Sequence, residues 1–143
     1  MSQQLRNKLF LYQLTAVFSV IFALTGFSYN VWRMENSENN SNVRIACFEM
    51  LKELASLEQI IYSASYDGDL DEGSPRKAWV KVGLVNDLSM LTSIEVEAKA
   101  EELVSTWTTN WESMPNVEED REEIIYAIDE VRSAIKSLLS SLE

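Results

Sequence analysis

Hydrophobic residues are concentrated near the amino terminus in one uninterrupted segment, residues 9–32, which contains no charged side chain. Lys8 and Arg33 flank this apolar segment. A helix rises ~1.5 Å per residue, so the segment would measure roughly 36 Å, against a bilayer hydrocarbon core of ~30 Å. The pattern therefore predicts a single transmembrane helix over residues 9–32.

Two other interpretations of the apolar segment fit its residues less well. A cleaved signal peptide has a shorter apolar region followed by small residues at a cleavage site, and no such site is found here. A buried helix of a soluble protein is not expected to stay free of charge over this length. An uncleaved signal anchor is therefore expected, with Tyr12, Tyr29 and Trp32 near its ends, where aromatic rings favour the membrane interface.

The basic residues around the apolar segment predict its orientation. Arg6, Lys8 and the amino terminus lie on the short side, whereas Arg33 alone lies close on the other side and is followed by Glu35. Positive residues are retained in the cytoplasm, so residues 1–8 are expected there and the remainder outside. In a bacterium this predicts a single-pass protein of the inner membrane with a periplasmic domain.

Small residues within the apolar segment are spaced so that they share one helix face. Ala16, Ser19, Ala23 and Gly26 follow one another at intervals of three, four and three residues. Such a face lets a second helix backbone approach closely, which favours self-association or docking with another membrane helix. The alternative is that any span of this length contains several small residues without such a role.

A second hydrophobic pattern, a heptad repeat, begins after a polar joint at residues 33–42. Spacings of four and three residues predict one apolar helix face made of Val43, Cys47, Met50, Leu54, Leu57, Ile61 and Ala64. Neighbouring apolar residues widen this face, which favours a helical bundle over a two-stranded coiled coil. No Gly or Pro lies between Gly26 and Gly68, so the helix is expected to run through the joint with little or no break and to end near Tyr66.

Three further helices are predicted in the rest of the chain. Ser74 followed by Pro75 predicts the start of one helix that runs to about Leu91. The capping-box patterns Thr92-x-x-Glu95 and Asn116-x-x-Glu119 predict the starts of the next two. Short connections favour antiparallel neighbours. The predicted fold is all-α: one transmembrane helix, then an antiparallel four-helix, bundle-like domain at 43–143.

Charge and composition exclude several classes of function. The chain has 12 basic and 23 acidic residues; residues 1–34 hold three of the basic ones and no acid, which leaves 9 − 23 = −14 on the remainder. Such a domain repels nucleic acid and anionic headgroups. There is no histidine and one cysteine, Cys47, so Cys–His metal sites, His-dependent catalytic pairs and an internal disulfide are excluded. We expect neither an enzyme nor a bound cofactor.

The loop after the first soluble helix resembles a cation site in part. Asp67, Asp69 and Asp71 alternate as in the opening of a calcium-binding loop, but the sixth and twelfth positions hold Glu72 and Ala78 instead of Gly and Glu. Asp and Gly are also ordinary turn residues. The loop is therefore interpreted as an acidic turn, with a weak divalent-cation site as the alternative.

Tryptophans supply the other candidate site. Trp79, Trp107 and Trp111 are three large rings in a small domain, and we expect them to pack in its core. The alternative is an aromatic-lined pocket for a small ligand. Gly83, within the second soluble helix, is expected to admit a close neighbour such as a tryptophan ring.

These patterns favour a membrane-anchored helical interaction subunit that binds a partner protein or forms a homo-oligomer. The evidence is the anchor, the heptads and the lack of a catalytic motif. The alternative function is an extracytoplasmic small-molecule sensor that acts through a membrane partner.

Overall fold

The computed structural model describes residues 3–69 and 71–142. Within these ranges the chain is all-helical and contains no strand, as predicted. The four α-helices are α1 (Gln3–Tyr62), α2 (Pro75–Ser89), α3 (Ile94–Asn110) and α4 (Glu118–Ser141). A π-helical turn at Ser63–Asp67 extends α1, and the left-handed Gly68, with φ of 63°, ends it.

The chain divides into two compact units, Met1–Asn39 and Asn40–Glu143. The boundary falls inside the polar joint at 33–42. Helix α1 is continuous across the joint, which confirms the predicted absence of a helix break there. The second unit is called the helical domain below.

The first unit exposes its apolar side chains on every side. The large apolar side chains are 49% exposed at Leu9 to 75% exposed at Phe22, and Val31 alone is partly buried among the described residues 9–32. Ala16, Ser19, Ala23 and Gly26 are also exposed and lie in α1. Among the described residues, α1 is the one helix long and apolar enough to cross a membrane, by length and composition.

The helical domain has one hydrophobic core, to which all four helices contribute. The predicted heptad of α1 fills one side of it, with its five central residues fully buried and its end members Val43 and Ala64 partly buried. In α4 the fully buried residues are Ile124, Ile128, Val131 and Ile135. The largest fully buried side chain is Trp107 of α3. The domain is therefore bundle-like, with buried faces set by the apolar periodicity of each helix.

Ion pairs join the domain's part of α1 to two other helices. Lys81 Nζ of α2 lies 2.6 Å from Glu53 Oε2, and Arg132 Nη2 of α4 donates to Glu58 Oε2 at 2.7 Å. Helix α3 packs against both α2 and α4. These contacts fix which helices flank each surface groove described below.

Helix α3 begins one residue later than the capping box predicts. Ser93 is the N-cap, and its Oγ accepts the backbone N–H of Val96 at 3.3 Å. Thr92 instead donates its hydroxyl to the Ser89 carbonyl at 2.6 Å. The prediction of Thr92 as the cap is wrong: the adjacent Ser93 takes the N-cap position, although the residue three after it is Val96 rather than the Glu of a capping box.

Helix α4 also begins differently from the prediction. Val117, not Asn116, occupies the N-cap position, and no side chain caps it. The Asn116 backbone N–H belongs to the preceding turn and donates to the Ser113 carbonyl at 2.9 Å. At α2 the predicted start is confirmed, with Ser74 at the N-cap and Pro75 first in the helix, although the Ser74 side chain makes no capping bond.

Candidate functional site

The acidic loop is a turn built around the Asp69 carboxylate. Asp69 Oδ1 accepts the backbone N–H groups of Asp71, at 2.9 Å, and Glu72, at 3.0 Å. The hydrogen bonds from Glu72 and Asp71 lower the pKa of Asp69. In the described part of the chain, no group of three or more His, Cys, Asp or Glu side chains is arranged to hold a metal ion. The structure thus does not bring Asp67, Asp69 and Asp71 together as one ligand set.

Gly73 fixes this loop against the end of α1. A Cβ added at Gly73 would lie 2.6 Å from both Cα and N of Ala64 and 2.6 Å from the Asp69 carbonyl oxygen. The Gly73 N–H also donates to that carbonyl at 2.8 Å. The loop is therefore packed backbone to backbone on the π-helical turn, and this contact sets where α2 begins.

The three tryptophans meet, but the expectation that all of them pack in the core holds fully only for Trp107: Trp111 is partly buried against the core, and Trp79 is 36% exposed. The Trp79 ring centroid lies 6.1 Å from that of Trp107 and 6.2 Å from that of Trp111, and both pairs are edge-to-face. Such pairs contribute ~0.5–1.5 kcal/mol beyond simple burial. Trp107 is fully buried, and its Nε1 has no hydrogen-bond partner within the described residues.

The cluster is made of rings that fill space against one another. No tryptophan lines either of the surface grooves described next. Gly83 lies outside it: its surroundings are open, with nothing within 4 Å of an added Cβ. The expectation of a close neighbour at Gly83 is therefore wrong, because this position of α2 faces solvent rather than the core.

A groove of about 280 Å³ lies between α1 and α2. Its polar side chains include Ser56 and two lysines. Lys77 pairs with Glu72 at 3.0 Å, and Lys81 pairs with Glu53 at 2.6 Å. The lining residues are Ser56, Gln59, Ile60, Ser63, Glu72, Lys77, Val80 and Lys81.

A second groove, of about 330 Å³, lies between α3 and α4 and is acidic. Tyr126 stands at its edge with 68% of its surface exposed. Lys99 bridges two of its carboxylates, lying 2.8 Å from Glu102 and 3.2 Å from Glu130. The lining residues are Glu102, Ser105, Thr106, Glu123, Tyr126, Ala127 and Glu130.

Sequence reasoning did not find either groove. Each is lined by two segments that are distant in sequence, and no local motif marks them. The signal that could have indicated them is the pairing of helices, which the heptads alone do not specify.

Two further ionisable groups, the partly buried Glu58 and the fully buried Cys47, have structural explanations. Burial raises the pKa of Glu58, but hydrogen bonds from Arg132 and Tyr62 outweigh it, so the pKa is lowered overall. Cys47 is fully buried, and burial raises the pKa of its thiol. A buried thiol with a raised pKa is a poor nucleophile.

Comparison with known proteins adds no relative. No protein-family model matches the chain, and no curated protein or solved structure resembles it significantly. No functional residue is therefore carried over from another protein.

Proposed function

We propose that this protein is a membrane-anchored interaction subunit whose helical domain binds a partner protein at the membrane. The observation that carries the proposal is the apolar segment 9–32, which is free of charge, helical and exposed at every position except the partly buried Val31. A contiguous apolar surface of this size is not stable against water and marks a contact with lipid or protein. Its length matches a bilayer core.

Hydrogen bonding within the segment is compatible with lipid as its surroundings, and the exposed Thr108 and Thr109 of α3 make the same kind of bond in the helical domain. Thr15, Ser19 and Thr25 each donate the side-chain hydroxyl to the carbonyl four residues earlier, at 2.9, 2.9 and 2.8 Å. A hydroxyl in hydrocarbon has no water to bind, so bonding back to its own helix satisfies it. The backbone groups of the segment are satisfied in the same way by the helix.

The proposed location is the inner membrane of a bacterium, with the amino terminus in the cytoplasm and the helical domain in the periplasm. Arg6 and Lys8 precede the segment, and the excess of acid lies entirely after it. Retention of basic residues in the cytoplasm favours this orientation.

The surface of the helical domain supports a role in binding. Both grooves are open at the surface, and the carboxylates in and beside them are engaged in hydrogen bonds or ion pairs with Asn110, Lys77, Lys81 and Lys99. These individual contacts stabilise the surface of the bundle. The support for binding comes from the net negative charge of the domain, which favours a partner with a basic face.

A sensor that acts through a membrane partner is the second candidate, and the groove between α1 and α2 favours it. Lys77 and Lys81 stand beside Ser56 there, but each is already paired with a carboxylate, so a small anionic molecule would have to displace Glu72 or Glu53 to bind them. A ligand in this groove would contact α1 directly, and α1 is the helix that carries the apolar segment.

Labelling of single cysteines tests the anchor and its orientation. Gln3→Cys and Ser140→Cys would be introduced separately into a Cys47→Ala chain and treated in whole cells with a membrane-impermeant maleimide. We expect Ser140→Cys to react in cells with a permeabilised outer membrane, and Gln3→Cys to react only after lysis. The opposite pattern would overturn the orientation, and release of the chain by alkaline carbonate would overturn the anchor.

Photo-crosslinking in membranes tests the binding role. A photoreactive residue would replace Tyr126, at the edge of the acidic groove, or Val80, in the groove between α1 and α2. A discrete product containing one defined protein at either position supports the proposal. Uncrosslinked chain at both positions, together with a monomeric mass in detergent, contradicts it.

A further inference from the structure

The helical domain has two ends that differ in chemistry. At one end, Arg44 Nη2 of α1 donates to the carbonyl of Leu142, just after α4, at 2.7 Å. At the other, the Arg121 guanidinium of α4 lies 4.9 Å from the centre of the Tyr66 ring. Because the domain begins at Asn40, the end with Arg44 is called the proximal end and the end with Tyr66 the distal end.

The turn between α2 and α3 lies at the proximal end. Gly73, before α2, packs on Ala64 near the distal end, and Lys81 pairs with Glu53 further from it. Helix α2 therefore runs antiparallel to α1, from the distal end towards the proximal end. At an equal rise of ~1.5 Å per residue, Met90 comes level with roughly the residues around Arg44.

Large apolar side chains are exposed at this proximal turn. Met90, Leu91 and Ile94 are 63%, 62% and 86% exposed. Ile45 and Phe48 of α1, near the same end, are 58% and 55% exposed. Residues 88–94 contain no charged side chain, although the region they belong to is strongly acidic.

Acidic residues crowd the distal end instead. Asp67, Asp69, Asp71 and Glu72 lie in the loop there, and Glu118–Asp120 begin α4 beside it. The proximal turn carries fewer acids than the distal end but is not neutral, because Asp87, Glu95 and Glu97 flank it. What distinguishes the turn is therefore its exposed apolar side chains rather than an absence of charge.

We propose that the proximal end of the helical domain rests on the bilayer surface, with Met90, Leu91 and Ile94 inserted at the boundary between headgroups and acyl chains. This inference rests on the proposed membrane anchor. The turn is level with Arg44, which lies about twelve residues beyond Trp32 in the continuous helix α1 and therefore ~18 Å from it along the axis. The contact accordingly requires the domain to tilt towards the bilayer. The anchor keeps the bilayer surface near this end whatever the protein concentration. A second copy or a partner protein would be near this end only at a sufficient concentration, so lipid is the favoured occupant.

Quenching of a fluorophore by lipid tests the contact. Leu91→Cys at the proximal turn, Val117→Cys at the distal end and Phe22→Cys in the apolar segment would be introduced separately into a Cys47→Ala chain. Each full-length chain would be labelled with bimane and reconstituted into phosphatidylcholine vesicles that contain lipids brominated near the headgroup or deep in the acyl chain. All three positions are exposed in the structure, so labels there should leave the fold intact.

We expect shallow bromines to quench the label at residue 91 at least threefold more than the label at residue 117, and deep bromines to quench the label at residue 22. Serine at positions 90 and 94, in the Leu91→Cys chain, should halve the quenching at 91. Equal quenching at 91 and 117, with residue 22 quenched, would overturn the inference and leave the anchor standing. Loss of quenching at residue 22 would overturn the anchor itself.

Discussion

Gly73 makes a close backbone contact, and we therefore expect Gly73→Ala to destabilise the helical domain strongly. The added Cβ would lie 2.6 Å from Ala64 Cα and from the Asp69 carbonyl oxygen. Both are backbone atoms, so no side-chain rotation can relieve the contact. The loop would have to move off the π-helical turn, and the hydrogen bond from Gly73 N–H to Asp69, now 2.8 Å, would be distorted with it.

The size of the effect follows from the cost of overpacking. Inserting a methyl group into a closely packed site typically costs ~1–3 kcal/mol, and we expect about 2–3 kcal/mol here because backbone lies on two sides. In a domain of about 100 residues each 1 kcal/mol shifts the unfolding temperature by roughly 4–8 °C. Gly73→Ala should therefore lower the unfolding temperature by roughly 8–24 °C.

Two other glycines in the same region serve as matched controls. Gly83 has nothing within 4 Å of an added Cβ, so Gly83→Ala should raise stability by up to ~1 kcal/mol through helix propensity. Gly68 also has open surroundings, but its φ is +63°, so Gly68→Ala should cost ~1–2 kcal/mol through backbone strain alone. Only Gly73 combines an ordinary φ with a steric block.

Thermal unfolding of the full chain in detergent, followed by tryptophan fluorescence, measures these differences. Trp79, Trp107 and Trp111 lie in the helical domain and report on its packing. The expected order of unfolding temperatures is Gly83→Ala highest, then the parent chain, then Gly68→Ala, with Gly73→Ala lowest. A Gly73→Ala chain that unfolds at or above the parent temperature would show that the loop does not pack on Ala64 as described.

Three further predictions test separate contacts. The pKa of Glu58 lies below its ordinary value of 4.5 in the folded chain, so its carboxylate stabilises the fold above about pH 4.5, and this contribution is lost as pH falls through the folded-state pKa. Arg132→Met should cost ~1 kcal/mol near neutral pH and reduce the further loss in acid, as measured by unfolding temperature against pH. Cys47 should be alkylated by iodoacetamide far more slowly in the folded chain than in denaturant, followed by mass spectrometry, and equal rates would contradict its burial. Ser93→Ala should cost ~1 kcal/mol of unfolding free energy and Thr92→Ala less, and the reverse order would restore Thr92 as the cap of α3.

The apolar periodicity predicted the helices and their buried faces because each helix, considered by itself, must remove its apolar face from water. A helix with apolar residues at intervals of three and four must cover that face. Met50 and Leu54 of α1 and Ile128 of α4 are accordingly fully buried. The break-free joint was also predictable, since neither Gly nor Pro interrupts it.

Details that depend on how helices meet were not predictable in this way. Ser93 and Thr92 have equivalent capping chemistry, and the geometry of the preceding turn decides between them. Gly83 lies in an apolar stretch of α2 and Gly73 in the acidic loop, and neither sequence context shows that only Gly73 closely approaches another backbone. The two grooves arise from the pairing of α1 with α2 and of α3 with α4, which no single segment of sequence encodes.

The proposed anchor and the proposed contact of the proximal end together limit the kind of partner the domain can bind. With its proximal end on the bilayer, the domain would present its grooves along its flanks and its acidic end away from the lipid. A partner confined to the same membrane meets these flanks at a raised effective concentration, so a weak contact suffices for association. Lys99 and Lys81 already pair with the domain's own carboxylates, and a basic partner must compete with them. Binding in the membrane should therefore be detectable where binding to the domain in dilute solution is not, and crosslinking at Tyr126 belongs in intact membranes for this reason.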